Sequence, residues 1–161
     1  MPIGFMGSDT IASNLVFTVP DATLCHFGVL TSATHMAWMR YTCGRLESRC
    51  RYSKDIVCNN FPWPAAPGAE ARQAVEAAAQ AVLDARAAHP GSTLADLYDS
   101  RAMPADLRAA HRHLDRLVDR IYLRRPFRHD TERVQRLFEK HAELTAPLAP
   151  AARAEPRKRK A

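Results

Sequence analysis

The sequence predicts an α+β chain: a strand-containing first part with one helix, then a small bundle of three to four helices, then a disordered basic tail. Three observations predict it. The first 64 residues hold short β-branched, apolar runs that end at prolines. The stretch "FPWPAAPG", Phe61 to Gly68, places three prolines within seven residues and excludes helix there. Beyond it, apolar residues recur at helical spacing.

Each element follows from its residues. "TIASNLVFTVP", Thr10 to Pro20, has a β-branched second half and reads as a strand. "TLCHFGVL", Thr23 to Leu30, reads as a second short extended segment. In "TSATHMAWMRYTCG" the period changes to helical. Thr31 or Ser32 caps the start, and Gly44 sits where a left-handed residue would end the helix. "RCRYS" and "DIVCNN" read as short strands on either side of Ser53-Lys54. Glu70 to Ala88 is a helix with Val75, Ala78, Val82 and Ala85 on one stripe, ended by "HPG". "STLADLYD" is a short helix capped by Ser92 or Thr93. Pro104 fits the first turn of the next helix, whose seam is Leu107, Ala110, Leu114, Leu117 and Ile121. Its other faces read as solvated Asp/Arg pairs, such as Asp115–Arg116 and Asp119–Arg120. Asp130 or Thr131 caps a last helix with Val134, Leu137, Phe138 and His141 on one side. None of these helices buries its stripe alone, so they pack together against the first part.

Charge narrows the function. The net charge is +6, and residues 147–161 hold five Lys/Arg against one Asp/Glu. Residues 65–146 are nearly balanced, thirteen against twelve. The tail is too rich in proline, alanine and charge to bury a core, and it can bind phosphate non-specifically or simply keep the chain soluble. Cys25, Cys43, Cys50 and Cys58 form no C-x-x-C pair, so a zinc site is not expected. No apolar run approaches a membrane span, which gives an expectation of a soluble, cytoplasmic protein with no membrane partner.

Catalytic motifs are sparse. "NNFPWP" invites comparison with the Asn-Pro-Pro-aromatic motif that methylates a flipped adenine. Here Asn60 follows Asn59 and Phe61 follows Asn60, so the order is wrong; a connector is the better reading. The sequence has no H-E-x-x-H, no G-x-S-x-G and no phosphate-cradling glycine loop. No catalytic or metal residue is assigned. "GRLESRCRYSK" is more informative. Arg45, Arg51 and Lys54 are cationic, and Tyr52 and Ser53 can donate to phosphate. Glu47 and Arg49 share a face if the segment is extended. A carboxylate accepts from cytosine N4 and a guanidinium grips guanine O6 and N7, so one C·G pair suits both. An ordinary surface ion pair would look the same.

Several strings carry a family resemblance: "GFMGSDTIASN", "ATLCHFGVLTSATHMAWMRYTCGRLESRCRYSKDIVCNNFPWP", "VLDARAAHPGSTLADLYD" and "MPADLRAAHRHLDRLVDRIY". From Gly4 to about Leu144 the chain resembles the C-terminal end of MmeI-like enzymes, large type II restriction–modification proteins whose relatives include stand-alone bacterial DNA adenine-N6 methyltransferases. In that family a methyltransferase domain precedes a target-recognition domain and a helical C-terminal domain. The resemblance implies that residues 1–64 end the recognition domain, 65–68 connect, 69–146 form the helical domain and 147–161 are tail. It implies that Glu47 and Arg49 read bases, with Arg45, Arg51, Tyr52, Ser53 and Lys54 on the DNA backbone. Cys25, Cys50 and Cys58 depart from the tyrosines it implies there.

The function expected on this basis is the sequence-recognition part of a site-specific adenine-N6 methyltransferase or restriction–modification enzyme. The partners expected are double-stranded DNA and a methyltransferase domain, in cis or as a separate chain. S-adenosylmethionine is the cofactor of the parent family and its motif is not in this sequence, nor is the catalytic one. The expectation is therefore a gene fragment, a split-gene product or a remnant. The alternative from another class is a small helical protein-interaction module with a basic tail that binds nucleic acid non-specifically.

Overall fold

The computed structural model describes residues 3–13, 16–46, 49–65, 67–99 and 101–146, so the basic tail expected at 147–161 lies outside the described residues. The chain is mostly helical. Its α-helices are α1 (Leu24–Thr31), α2 (Ala33–Thr42), α3 (Ala69–Ala87), α4 (Leu94–Leu97), α5 (Ala105–Tyr122) and α6 (Asp130–Thr145). Two three-residue strands, β1 (Gly44–Leu46) and β2 (Arg49–Arg51), form an antiparallel hairpin, and a π-helical turn follows at Lys54–Cys58.

Strand content is thus smaller than the sequence suggests. Residues 10–20 form no ladder among those described, with Asn14 and Leu15 outside the described set. "TLCHFGVL" is helical: Thr23 starts α1 with a capping box, its hydroxyl accepting from the His26 N–H and its own N–H donating to His26 Nδ1 at 3.0 Å. This helix lacks a polar face because it is covered on several sides. Phe27, Gly28, Val29, Leu30 and Thr31 are all buried. "DIVCNN" is the π-helical turn, closed by the Asn59 N–H donating to the Lys54 carbonyl at 2.9 Å.

Ser32 joins α1 to α2 in a single residue. Its hydroxyl donates to Val29 O at 2.7 Å, closing α1, and accepts from the His35 N–H, opening α2. The next N–H, that of Ala33, donates to Asp115 Oδ1 of α5 at 2.7 Å. One turn further along α5, Asp119 accepts from the Thr34 hydroxyl at 2.6 Å. Arg133 of α6 closes on the same carboxylate through Nε at 3.1 Å and Nη2 at 2.7 Å. Asp115 and Asp119 are therefore not solvated partners of Arg116 and Arg120; both face α2.

The other helices follow the sequence more closely. Val75, Ala78, Ala79 and Val82 are the buried stripe of α3. Gly91, at φ +91°, makes the left-handed turn after "HP" that only glycine adopts without strain. Thr93 caps α4, with Asp96 reaching back to the Thr93 N–H. The centre of the α5 seam is Leu107, Leu114, Val118 and Tyr122, rotated from the predicted line, with Ala110, Leu117 and Ile121 at its margin. His129 rather than Asp130 caps α6, accepting from the Glu132 N–H at 3.2 Å. One core runs through both halves, from Phe27, Val29, Trp38, Val57 and Phe61 to Leu107, Leu114 and Leu137. Within this core the helices approach closely at Gly28, where an added Cβ would lie 2.8 Å from Val75 Cγ1 and 3.3 Å from Leu114 Cδ1.

Two stability predictions follow from this packing. Asp119→Ala takes from the part-buried Arg133 one of its two carboxylates, leaving Asp130, and lowers unfolding free energy by about 1–3 kcal/mol, measured by urea denaturation. Gly28→Val overpacks the α1–α3–α5 junction, with a loss of about 1–3 kcal/mol expected in the same measurement.

Candidate nucleic-acid interface

The hairpin follows directly from α2. That helix ends with Cys43 in an extended conformation, its N–H donating to Met39 O at 2.9 Å. Gly44 is consequently the first residue of β1, opposite Arg51, and not a left-handed helix terminator. The register continues with Arg45 opposite Cys50 and Leu46 opposite Arg49. Glu47 lies outside the described residues, as do the side chains of Arg45 and Arg49; the backbone of both arginines belongs to the hairpin. Arg51 and Lys54 are exposed.

Beneath the hairpin the chain is anchored to the core. Tyr52 is half-buried, with its hydroxyl 3.3 Å from Nε2 of the fully buried His35 and its ring against Phe17. Burial pushes the Tyr52 hydroxyl well above its ordinary range, and the neighbouring Cys58 thiol adds to this. Ser53 caps the π-helical turn, its hydroxyl accepting from the Ile56 N–H at 3.4 Å. Tyr52 and Ser53 therefore position the hairpin base in this structure. Within the turn, Val57 is fully buried and its carbonyl accepts from Trp38 Nε1 at 3.0 Å. Single π-helical turns are rare and interrupt regular helix where a local geometry must be held.

"NNFPWP" completes the anchor. Asn60 Nδ2 donates to the carbonyls of Asp55 at 2.7 Å and Ile56 at 3.2 Å, satisfying groups the turn leaves open. The Phe61 ring stands edge-on to His35 at 4.9 Å and to Trp63 at 5.5 Å. Pro62 is fully buried and its carbonyl accepts from the Tyr122 hydroxyl at 3.1 Å. The motif that looks catalytic in the sequence is thus a packed junction between the hairpin and α5. Phe61 and Trp63 hold it by packing edge-on against each other.

Among the described residues no group of three His, Cys, Asp or Glu could hold a metal ion, and no helix is long and apolar enough to cross a membrane. The glycines are scattered at positions 4, 7, 28, 44, 68 and 91, and among the described residues no strand leads through a glycine-rich turn into a helix.

Residues 1–65 match the family described as MmeI, target recognition domain, and residues 68–149 match MmeI, C-terminal domain. The chain belongs to the MmeI family, carrying its target-recognition and C-terminal regions. It is 38% identical over 145 residues to DNA methyltransferase A of Bacillus subtilis (strain 168), an alignment covering 90% of this chain and 16% of that protein. The fold is similar to a solved structure of the type IIL restriction–modification enzyme MmeI in complex with DNA. The TM-score is 0.75 at 42% identity, over 79% of this chain and 17% of that one. The chain thus spans about one sixth of the length of these relatives.

His35 sets a pH dependence for the hairpin base. Burial lowers its pKa to about 4, and burial also lowers that of His111 to about 4. Both are neutral in the folded chain, whereas the unfolded chain takes up their protons near the ordinary value of about 6.5. Their contribution is complete above about pH 6.5 and is lost as pH falls towards 4, with a slope of up to about 1.4 kcal/mol per pH unit for each. Asp115, whose carboxyl burial pushes up, works against this slope where it titrates. Urea denaturation between pH 7 and pH 4 is expected to show falling stability, and His35→Gln to show a shallower fall; equal slopes would place the effect elsewhere.

Proposed function

We propose that this chain supplies DNA sequence recognition to a bacterial site-specific adenine-N6 methyltransferase or restriction–modification enzyme working in the cytoplasm. The observation that carries the proposal is the basic hairpin clamped by Trp38, His35 and Tyr52 onto a helical core, in a chain of the MmeI family. Its partners are double-stranded DNA and the methyltransferase domain, whether in the same polypeptide or another. That domain binds S-adenosylmethionine and turns out the adenine; no step of methyl transfer is assigned to residues of this chain.

In this proposal the recognition segment is residues 1–64, the connector 65–68, the helical support 69–146 and the basic tail 147–161. Glu47 and Arg49 read one C·G pair in the major groove, the carboxylate accepting from cytosine N4 and the guanidinium donating to guanine O6 and N7. Arg45, Arg51 and Lys54 fix the hairpin on the phosphates. Ser53, whose hydroxyl accepts within the turn, keeps its hydrogen free to donate to a phosphate oxygen. Tyr52 acts at the backbone through the hairpin base it holds, since its ring is wedged between His35 and Phe17.

The test uses the chain joined to its methyltransferase. Glu47→Lys combined with Arg49→Asp is expected to move preference at one base pair from C·G to G·C, with discrimination of about 1–3 kcal/mol. Sequencing of methylated sites reads the outcome. An unchanged site would make the pair a structural one and remove it from the base-reading set.

A further inference from the structure

Arg108, Arg112, Arg116, Arg120 and Arg124 recur every four residues along α5 and just past its end, and all five are exposed. Each step of four advances about 6 Å along a helix and turns about 40° around it. The row therefore winds slowly across the face opposite the Leu107–Leu114–Val118 seam. Between Arg108 and Arg120 the other exposed residues of α5 are Ala109 and His113.

No carboxylate neutralises the row among the described residues. Arg108 Nη2 donates to the Met103 carbonyl at 3.2 Å, and Arg116 Nη2 lies 3.5 Å from His113 Nδ1. Other arginines of the helical half are engaged. Arg72 meets Glu76, Arg86 meets Tyr98, Arg125 meets Glu132, Arg133 meets Asp119 and Arg136 meets Glu139. The acids that alternate with the row in sequence, Asp115 and Asp119, are both spent on α2 and α6. The near-equal charge count of residues 65–146 therefore does not hold locally on the outer face of α5.

We propose that this arginine row is a second DNA-contacting surface, gripping the phosphate backbone of the duplex away from the base-reading hairpin. The proposal rests on the DNA-recognition reading above. Guanidinium groups take phosphate oxygens bidentately, and such contacts hold the duplex without reading it. A row of one sign also raises the local potential that draws a polyanion in. A protein partner would need an apolar or aromatic anchor at the centre of its interface. This face offers none, since Leu117 and Ile121 are half-buried at its margin.

The test compares the full chain with two triple variants, Arg112→Gln/Arg116→Gln/Arg120→Gln and the same positions changed to lysine. Binding to a random-sequence duplex is followed by fluorescence anisotropy across a salt series, and thermal melts verify that each protein is folded. The glutamine triple is expected to bind at least about tenfold more weakly at low salt, with the log–log salt slope smaller by about two to three, roughly one per lost phosphate contact. The lysine triple is expected to keep most of the slope. A glutamine triple with the native slope would overturn the proposal, as would a lysine triple impaired as much as the glutamine one. If Arg51→Gln/Lys54→Gln weakens binding while the glutamine triple does not, the row fails and the recognition reading stands. A native chain that binds no duplex removes both.

Discussion

The carboxylate of Asp119 is the constraint from which the arrangement of this chain is built. It is buried in α5 and must be neutralised where it lies. Arg133 of α6 supplies the charge and Thr34 of α2 a hydrogen bond, so three helices meet on one side chain. A buried pair of this kind adds little net stability over an apolar replacement, yet its partial loss is severe. Its effect here is to select one packing of α2. Asp115 adds to this by accepting from the Ala33 N–H, where the helix start already favours negative charge. Once α2 is seated, Trp38 faces Val57 and His35 faces Tyr52, and the hairpin base has only one place to lie.

A second polar cluster performs the same service at the other end of the helical half. Arg86 of α3 donates to the Tyr98 hydroxyl at 2.8 Å, which leaves the hydroxyl hydrogen for His111 of α5 at 2.6 Å. The same guanidinium donates to the Ile3 carbonyl at 2.7 Å and sits over the Phe27 ring. The N-terminal segment and α1 are thereby tied to α3, α4 and α5. Together with the Tyr122–Pro62 bond, these contacts make the helical part a support for the first part. A base-reading pair must be held within about 0.5 Å to discriminate, and a three-residue hairpin cannot supply that rigidity from its own strands.

Much of this was legible in the residues, and the exceptions share a cause. α3, α5 and α6 each have one covered face, so their periodicity announces them. α1 is covered on several sides, so "TLCHFGVL" has no polar stripe and resembles a strand. The capping box at Thr23 was its available signal. "DIVCNN" misleads because a π-helical turn of five residues shows no period at all. Asp115 and Asp119 read as solvated acids because they are surrounded by arginines in sequence. Only the position of α2 in space reveals which way they turn, and no local pattern encodes that. The expectation of a base-reading site came chiefly from family resemblance, since alternating charge on a short hairpin has no spacing that separates a base-reading pair from a surface ion pair.

The inward turn of those two acids has a consequence beyond stability. In the sequence, Asp and Arg alternate along the second half of α5 and their charges cancel. In the fold the acids are drawn to the side that receives α2 and α6, and the arginines stay on the other. The same hydrogen bonds that seat the hairpin base therefore separate charge across α5 and leave its outer face cationic. Positioning the hairpin and exposing the arginine row are two results of one packing decision. A chain that loses Asp119 would surrender both together, because the fixed arrangement of α2, α5 and α6 underlies each.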